Sequence, residues 1–319
     1  MKEALGHMCK TFGSLLAVEF GPLKLKAVRQ QMIDAGLARG VINNRVNRIK
    51  RVIKWAVSEE LLPAGAYEAV QTVSGLRFGR SEAKETEPVR PVPDSWVDAT
   101  VPYLSPQVSA MVQLQRLTGM RPGEVIRMRP CDIDVGDEVW VYRPENHKNR
   151  WRGHERLVPL GPQAKAIIQP FWNRRTDAFL FSPQDAEAWR NRKRSATYSR
   201  SRKTKIYPCE LRARLSRRSA KRPVPKRPKG EAYTPDSYRR AIQYGIRKAN
   251  RVRSKVDPGL VLVPSWHPNQ LRHSFGTAVR KRFGVEAAQV GLGHARTDVV
   301  EIYAEKNYHL AVQVANTIG

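Results

Sequence analysis

Between residues 183 and 230 the chain carries a run of cations that constrains everything around it. Arg190, Arg192, Lys193, Arg194, Arg200, Arg202, Lys203 and Lys205 come first. Arg212, Arg214, Arg217, Arg218, Lys221, Arg222, Lys226, Arg227 and Lys229 follow, and Glu210 is nearly the only acid after Glu187. Like charge at this density repels itself unless an anion lies nearby. The segment reads as a basic insertion, partly mobile in the free protein, that tracks phosphates. The fold has to be built from what flanks it.

The excess is not local. Lys and Arg number 57 against 29 Asp and Glu, a net charge of +28, which points to a polyanionic partner, nucleic acid first. A membrane surface is a weaker candidate, because no long apolar run and no basic amphipathic anchor stands out. Met1-Lys-Glu-Ala-Leu-Gly-His has no apolar region of the secretory kind. Cys9, Cys131 and Cys209 are far apart, fit a reducing cytoplasm, give no zinc pattern and read as small packing residues.

Two domains fit in 319 residues. Residues 1–75 read as a helical domain. Leu23 to Ile33 forms one helix, and Asn43 or Asn44 caps another that runs to about Glu60. On it Val46, Ile49, Val52, Ile53 and Ala56 recur at helical spacing, while Arg45, Arg48, Lys50, Arg51 and Lys54 fall mostly elsewhere. With the chain-wide charge excess, that second face reads as one that lies along DNA, with Arg45, Arg48, Arg51 and Lys54 as contacts. Pro63 to Val73 reads as a further short helix. Residues 76–92, charged and proline-bearing, read as a linker without core-forming residues.

The second domain, 93–319, reads as mainly helical with a small sheet. Helices are expected over Asp94–Leu104, Ser105–Leu117 (stopped by Gly119), Gly161–Asn173 and Pro235–Lys248. From Asn269 onward the chain reads as mostly helical, with turns at Gly284 and Gly291. Strands are expected over Asp137–Tyr142 and Arg156–Leu160, joined by a polar loop with His147, Lys148, Asn149 and Arg150, and again over Ala178–Phe181.

Within this domain stand residues that suit metal-free attack on a phosphodiester. The non-bridging oxygens of a phosphodiester carry negative charge, and a forked guanidinium pairs with two of them while staying charged at any relevant pH. Arg121, in Thr118-Gly-Met-Arg121-Pro-Gly-Glu124, and Arg272, in Asn269-Gln-Leu-Arg272-His273-Ser-Phe, are the expected pair. A tyrosine nucleophile keeps the bond energy in a phosphotyrosyl ester and leaves a 5′-hydroxyl for rejoining. Tyr303, in Asp298-Val-Val-Glu-Ile-Tyr303, is the candidate. The leaving 5′-oxygen needs a proton, and Lys148 on its hairpin is the expected acid, with His147 and Lys165 as weaker candidates. No cluster of acids suits a two-metal site, so no metal or cofactor is expected.

At these residues the sequence resembles the tyrosine recombinases, or phage integrase family, over roughly residues 95–310. Thr118–Glu124 looks like the family's first-arginine box, with Glu124 as its acidic partner. Asn269–Thr277 looks like the second-arginine box. Leu292–Glu305 looks like the histidine box and tyrosine helix, with Tyr303 nine residues after His294. The resemblance implies a helical core-binding domain and an α+β catalytic domain closing as a C-shaped clamp on double-stranded DNA. It implies that Arg121 and Arg272 bind the scissile phosphate, Lys148 protonates the 5′-oxygen, His294 hydrogen-bonds a non-bridging oxygen and Tyr303 forms a 3′-phosphotyrosine. The family usually places histidine where Asn269 stands. Asparagine can donate a hydrogen bond there but cannot act as a base near neutral pH, and His267 is the alternative. His273 reads as structural.

The expected function is site-specific recombination by a cytoplasmic, nucleoid-associated protein, for integration or excision of a mobile element. Attachment-site DNA, a homotetramer on synapsed DNA and a directionality or host DNA-bending factor are the expected partners. The basic insertion contributes Arg192, Lys193, Arg194, Arg202 and Lys203 to DNA binding. The alternatives are a catalytically impaired DNA-binding relic and a strand-passage enzyme like the type IB topoisomerases. An RNA-binding protein is disfavoured, because no aromatic-rich sheet motif is visible.

Overall fold

The computed structural model describes residues 2–145, 153, 155–201, 205, 207–221, 230–257 and 259–293, the side chains of 198–201 and 218–221 excepted. The chain divides into two compact units, Met1–Pro88 and Val89–Gly319.

The first unit is a four-helix assembly of α1 (Lys2–Phe12), α2 (Pro22–Asp34), α3 (Arg39–Ser58) and α4 (Ala64–Gln71). Its core gathers Leu25, Val28 and Met32 from α2 with Ile42, Val46, Ile49 and Ile53 from α3. Each such side chain contributes about 1.5–3 kcal/mol on burial. The helix α3 starts earlier than its asparagines suggested, at Arg39 after Ala38. Asn43 lies inside the helix and does other work. Its Nδ2 donates to the Leu76 carbonyl at 3.0 Å, and its Oδ1 accepts from the Leu76 N–H at 2.8 Å. One side-chain amide thus mimics a strand partner for a backbone that has none.

That contact also corrects the reading of 76–92 as a linker without core-forming residues. Leu76 and Ala83 pack into the core of the first unit. Arg39 donates to the Glu85 carboxylate at 2.7 Å and, through its backbone N–H, to the Lys84 carbonyl. At the other end Val92 is buried in the core of the second unit.

The second unit is built around α6 (Pro106–Thr118), which buries Val108, Met111, Val112 and Leu114. The Ser105 hydroxyl caps its start by accepting from the Val108 N–H, Pro106 occupies the first turn, and Gly119 ends it with φ 62°. Packed around it are α5 (Asp94–Thr100), the single turn α7 (Pro122–Val125), α8 (Pro162–Ile168), α11 (Pro235–Val256) and α12 (Pro268–Leu292). Three short strands, β1 (Ile133–Asp134), β2 (Trp140–Tyr142) and β3 (Val158–Leu160), form an antiparallel sheet in chain order, with Tyr142 opposite both Ile133 and Val158. The β1 strand was not anticipated; two residues are too few to show alternation. The expected strand at 178–181 is absent: Leu180 donates one hydrogen bond to Met128, and Leu180 and Phe181 are simply buried. Apolar composition there reflects burial, not pairing.

The basic segment is more ordered than its charge suggested. Much of it forms α9 (Pro183–Ser201) and α10 (Pro208–Lys221). Ala186 fixes α9 in the core. The helix α12 kinks at Gly284, φ 88°, as expected, but runs through Gly291 and stops at Gly293, φ 62°. All three cysteines are exposed, not packed as expected. No helix among the described residues is long and apolar enough to cross a membrane.

Because Asn43 holds both hydrogen-bonding groups of Leu76, Asn43→Ala leaves the Leu76 N–H unpaired and its carbonyl with only a long bond from Arg39 at 3.5 Å. We expect a loss of about 2 kcal/mol, read as a lower denaturant midpoint for the transition of the first unit.

Candidate active site

The expected first-arginine turn is built by the end of α6. Gly119 takes the left-handed conformation, and a Cβ there would overlap the Phe275 ring of α12, so glycine is required twice over. The buried Gln115 side chain donates to the Met120 carbonyl at 2.8 Å and accepts from the Tyr238 hydroxyl at 2.9 Å. The residue before Arg121 is thereby fixed from two helices.

Arg121 then caps α7. Its backbone N–H donates to Glu124 Oε2 at 2.9 Å and its Nη1 to Oε1 at 2.8 Å. The Arg121 side chain remains 23% exposed, whereas that of Glu124 is 3% exposed. Glu124 also faces Arg156 Nε at 3.7 Å. Burial alone would raise the Glu124 carboxyl; the Arg156 and Arg121 guanidiniums and the Arg121 N–H overcome it and hold it below its ordinary range. Burial pulls the Arg156 guanidinium down from its ordinary value; Glu124 opposes this and Arg121 adds to it.

Arg156 is the member that the sequence reading passed over. Arg156, Val158 and Leu160 are buried while Leu157 and Pro159 are exposed, so the period-two pattern puts an arginine on the inward face. A charged residue on the apolar phase of a strand was the available clue. Its Nη2 donates to the Gly291 carbonyl at 3.2 Å. Gly293 lies against the same guanidinium, leaving no room for a Cβ.

Arg272, on the first turns of α12, is wholly buried. Its Nη1 donates to the Gly119 carbonyl at 2.7 Å and its Nη2 to the Leu292 carbonyl at 2.6 Å. A single fork therefore ties the Arg121 turn to the end of α12, where the stretch bearing His294 begins. Phe275 completes the junction, lying 3.2 Å from where a Gly291 Cβ would stand. His273 is buried as expected of a structural residue; burial, then His267 and Arg272, push its imidazole down to about 4. Asn269 is half-buried one turn before Arg272. His267 precedes α12, its N–H donating to Gln270, and burial and Arg239 lower its imidazole.

Lys148, His147, His294 and Tyr303 lie outside the described residues, as do Arg202 and Lys203. The arms that carry the Lys148 loop are described. The Tyr142 hydroxyl donates to the Glu124 carbonyl at 2.9 Å on one arm, and Arg156 faces the Glu124 carboxylate from the other. Lys165 is occupied with the Glu138 carbonyl and lies over the Trp140 ring.

Of the basic residues expected to contact DNA, Arg48, Arg51 and Lys54 are exposed on α3, and Arg192, Lys193 and Arg194 on α9. Arg45 is a correction. Its side chain is 15% exposed and is drawn under α1 by Glu3 at 2.9 Å and His7 at 3.1 Å.

No family model matches the chain. Tyrosine recombinase XerC of Yersinia pestis is 25% identical over 280 residues, 87% of this chain and 72% of the relative. XerC of Serratia marcescens is 25% identical over 296 residues, 90% of this chain and 77% of the relative. The chain is thus similar over most of its length to tyrosine recombinases. Its fold is that of the Tn1549 transposon integrase, solved in complex with circular intermediate DNA: TM-score 0.58 at 14% identity, covering 98% of this chain and 91% of the integrase. The XerH site-specific recombinase bound to palindromic difH gives TM-score 0.59 at 15% identity, covering 99% and 77%. The mainly helical second unit and its small sheet bring together the stretches that resemble the family's two arginine boxes and the start of the stretch that resembles its histidine box.

Glu124 supplies the sharpest test of this arrangement. Its folded-state value is depressed, so its contribution to stability is complete above the ordinary carboxylate value of 4.5 and is lost as pH falls through the depressed one. Glu124→Gln strands two arginines, so urea unfolding at pH 7 should show a loss of about 3 kcal/mol. The gap between variant and parent should narrow as pH falls below 4.5 and through the depressed value, where the parent's own carboxylate protonates.

Proposed function

We propose that the chain is a site-specific DNA recombinase that cleaves and rejoins duplex DNA through a 3′-phosphotyrosyl intermediate, in the integration or excision of a mobile element. One observation carries this reading. The described ends of all the segments that bear the expected catalytic groups meet at one place. The arms of the Lys148 loop touch Glu124, and the chain leading into His294 is held by Arg272 and Arg156.

In this reading Arg121, partly exposed and oriented by Glu124, takes a non-bridging oxygen of the scissile phosphate. Arg272 takes the other, its Nη2 exchanging the Leu292 carbonyl for phosphate as DNA seats. Its first bond, to Gly119, keeps it aligned meanwhile. Asn269, on the same face of α12, donates a further hydrogen bond. Tyr303 attacks phosphorus, the bond to the 5′-oxygen breaks, and Lys148 protonates that oxygen as it leaves. His294 hydrogen-bonds a non-bridging oxygen. The two guanidiniums supply the charge stabilisation that a metal gives elsewhere. His267, whose imidazole is lowered by burial and Arg239, is the group that takes the tyrosine proton that Asn269 cannot. The solved relatives support the choice of substrate: both the Tn1549 integrase and XerH carry DNA. Recombination between two sites engages four protomers.

Covalent capture tests this. The protein is incubated with fragmented DNA from its source genome and denatured in detergent, and the attached DNA is sequenced. We expect adducts at a recurring site, lost in Tyr303→Phe. Adducts that persist in the variant would assign the nucleophile elsewhere. Tight, salt-sensitive binding without any adduct would make the chain a DNA-binding relic.

A further inference from the structure

A groove of about 950 Å³ opens between α9, α11 and the turn at 101–105, built from residues that phosphodiester cleavage does not use. Two helices face it with stripes at helical spacing. Trp189, Lys193 and Thr197 line it from α9, and Ser237, Ala241, Tyr244 and Lys248 from α11. The third wall is Tyr103 with Leu104. Gly245 lets α11 approach that wall, since a Cβ there would overlap the Leu104 side chain.

Its chemistry is unusual for a protein surface. Five cations line it, Lys193 and Lys248 with Arg190, Arg194 and Arg240, and no carboxylate is among the described lining residues. A cationic ligand finds no match there; an anion that also carries apolar faces matches both its cations and its apolar walls. The rings narrow the choice further. Tyr244 is 65% exposed. The chain's own cations sit over the ring faces: Lys193 over Trp189 at 5.1 Å, Lys248 over Tyr103 at 6.0 Å and Arg247 over Tyr244 at 5.4 Å. Flexible cations laid on solvent-facing rings are readily displaced, which opens flat π-surfaces flanked by positive charge. Inside a base-paired duplex the base faces are stacked on one another, so a duplex offers such surfaces only phosphates. An unpaired strand offers both a phosphate and a free base face at each nucleotide.

We propose that this groove is a binding site for single-stranded nucleic acid, with bases stacked on Trp189, Tyr244 and Tyr103 and phosphates held by Lys193, Arg240 and Lys248. The site requires neither Tyr303 nor cleavage, so it stands or falls apart from the recombinase reading. The test uses the full chain and a fluorescein-labelled oligothymidylate about twelve nucleotides long, followed by anisotropy at one fixed salt concentration. Replacing two of the rings, the half-buried Trp189 and the exposed Tyr244, in Trp189→Ala with Tyr244→Ala should raise the dissociation constant at least about tenfold, because each stacked base is worth about 1–3 kcal/mol. Trp189→Phe with Tyr244→Phe keeps the rings and should stay within about threefold of the parent. A duplex of equal length should change by less than about twofold in either variant. Cross-linking a halogenated-uracil strand to the unaltered chain should label the peptides of Trp189 and Tyr244, and this arm needs no variant to fold. Four results would overturn the proposal: no binding of the single strand; equal affinities for the parent and the alanine variant; duplex affinity falling in step with single-strand affinity; or polyglutamate displacing the strand with no dependence on the rings, which would make the groove a dock for acidic peptides.

Discussion

The second unit depends on where one buried guanidinium directs its bonds. Arg272 has no solvent contact, and water cannot compensate it. Burying such a charge costs several kcal/mol unless the surroundings replace its hydration. The chain does so with backbone carbonyls at two structural ends. Gly119 is the left-handed residue that closes α6, and Leu292 sits in the last turn of α12. Both carbonyls belong to helix C-termini, where unpaired carbonyl groups concentrate partial negative charge. The arginine therefore relieves two helix ends at once, and the geometry of those ends is what aligns residues 119–121 with residues 291–293.

The Glu124 cluster follows the same logic with opposite emphasis. One carboxylate faces Arg121 and Arg156, so the pocket holds more positive charge than its own acid neutralises. Glu124 is depressed in spite of its burial, while Arg121 adds to the lowering of Arg156. A site that is under-neutralised yet rigidly bonded is pre-organised for an anion. A second carboxylate would make the empty site more stable and the occupied one less so.

Much of this was legible in the chain, and the reason is that glycine, proline and box residues are local signals. Gly119 and Pro122 mark the stop of one helix and the start of the next, and both act as read; the capping of that turn by Glu124 was not read. The misses are non-local. Asn43 looked like a cap because asparagine favours caps; its true partner is Leu76, far along the chain, and no spacing rule reaches that far. Arg45 looked like part of an open basic face until α1 folded over it. Arg156 was hidden by its own strand, since an arginine in an alternating segment is ordinarily assigned to the outward phase. Gln115 and Tyr238 read as unremarkable helix residues, and only their meeting shows that they fix Met120.

The basic segment shows how composition misleads about order while remaining right about charge. Seen as a string of cations, it argues against structure. Yet α9 is anchored by Ala186 in the core, and Trp189 is half-buried one turn later. Two apolar positions in register suffice to seat a helix whose other faces are cationic, because the exposed charges remain hydrated and lose little. Self-repulsion therefore acts on what the helix can face, not on whether it forms. It keeps carboxylate-poor surfaces open toward solvent, and on the side facing α11 the chain's own cations lie over aromatic rings. A surface built in that way is incomplete without an anion.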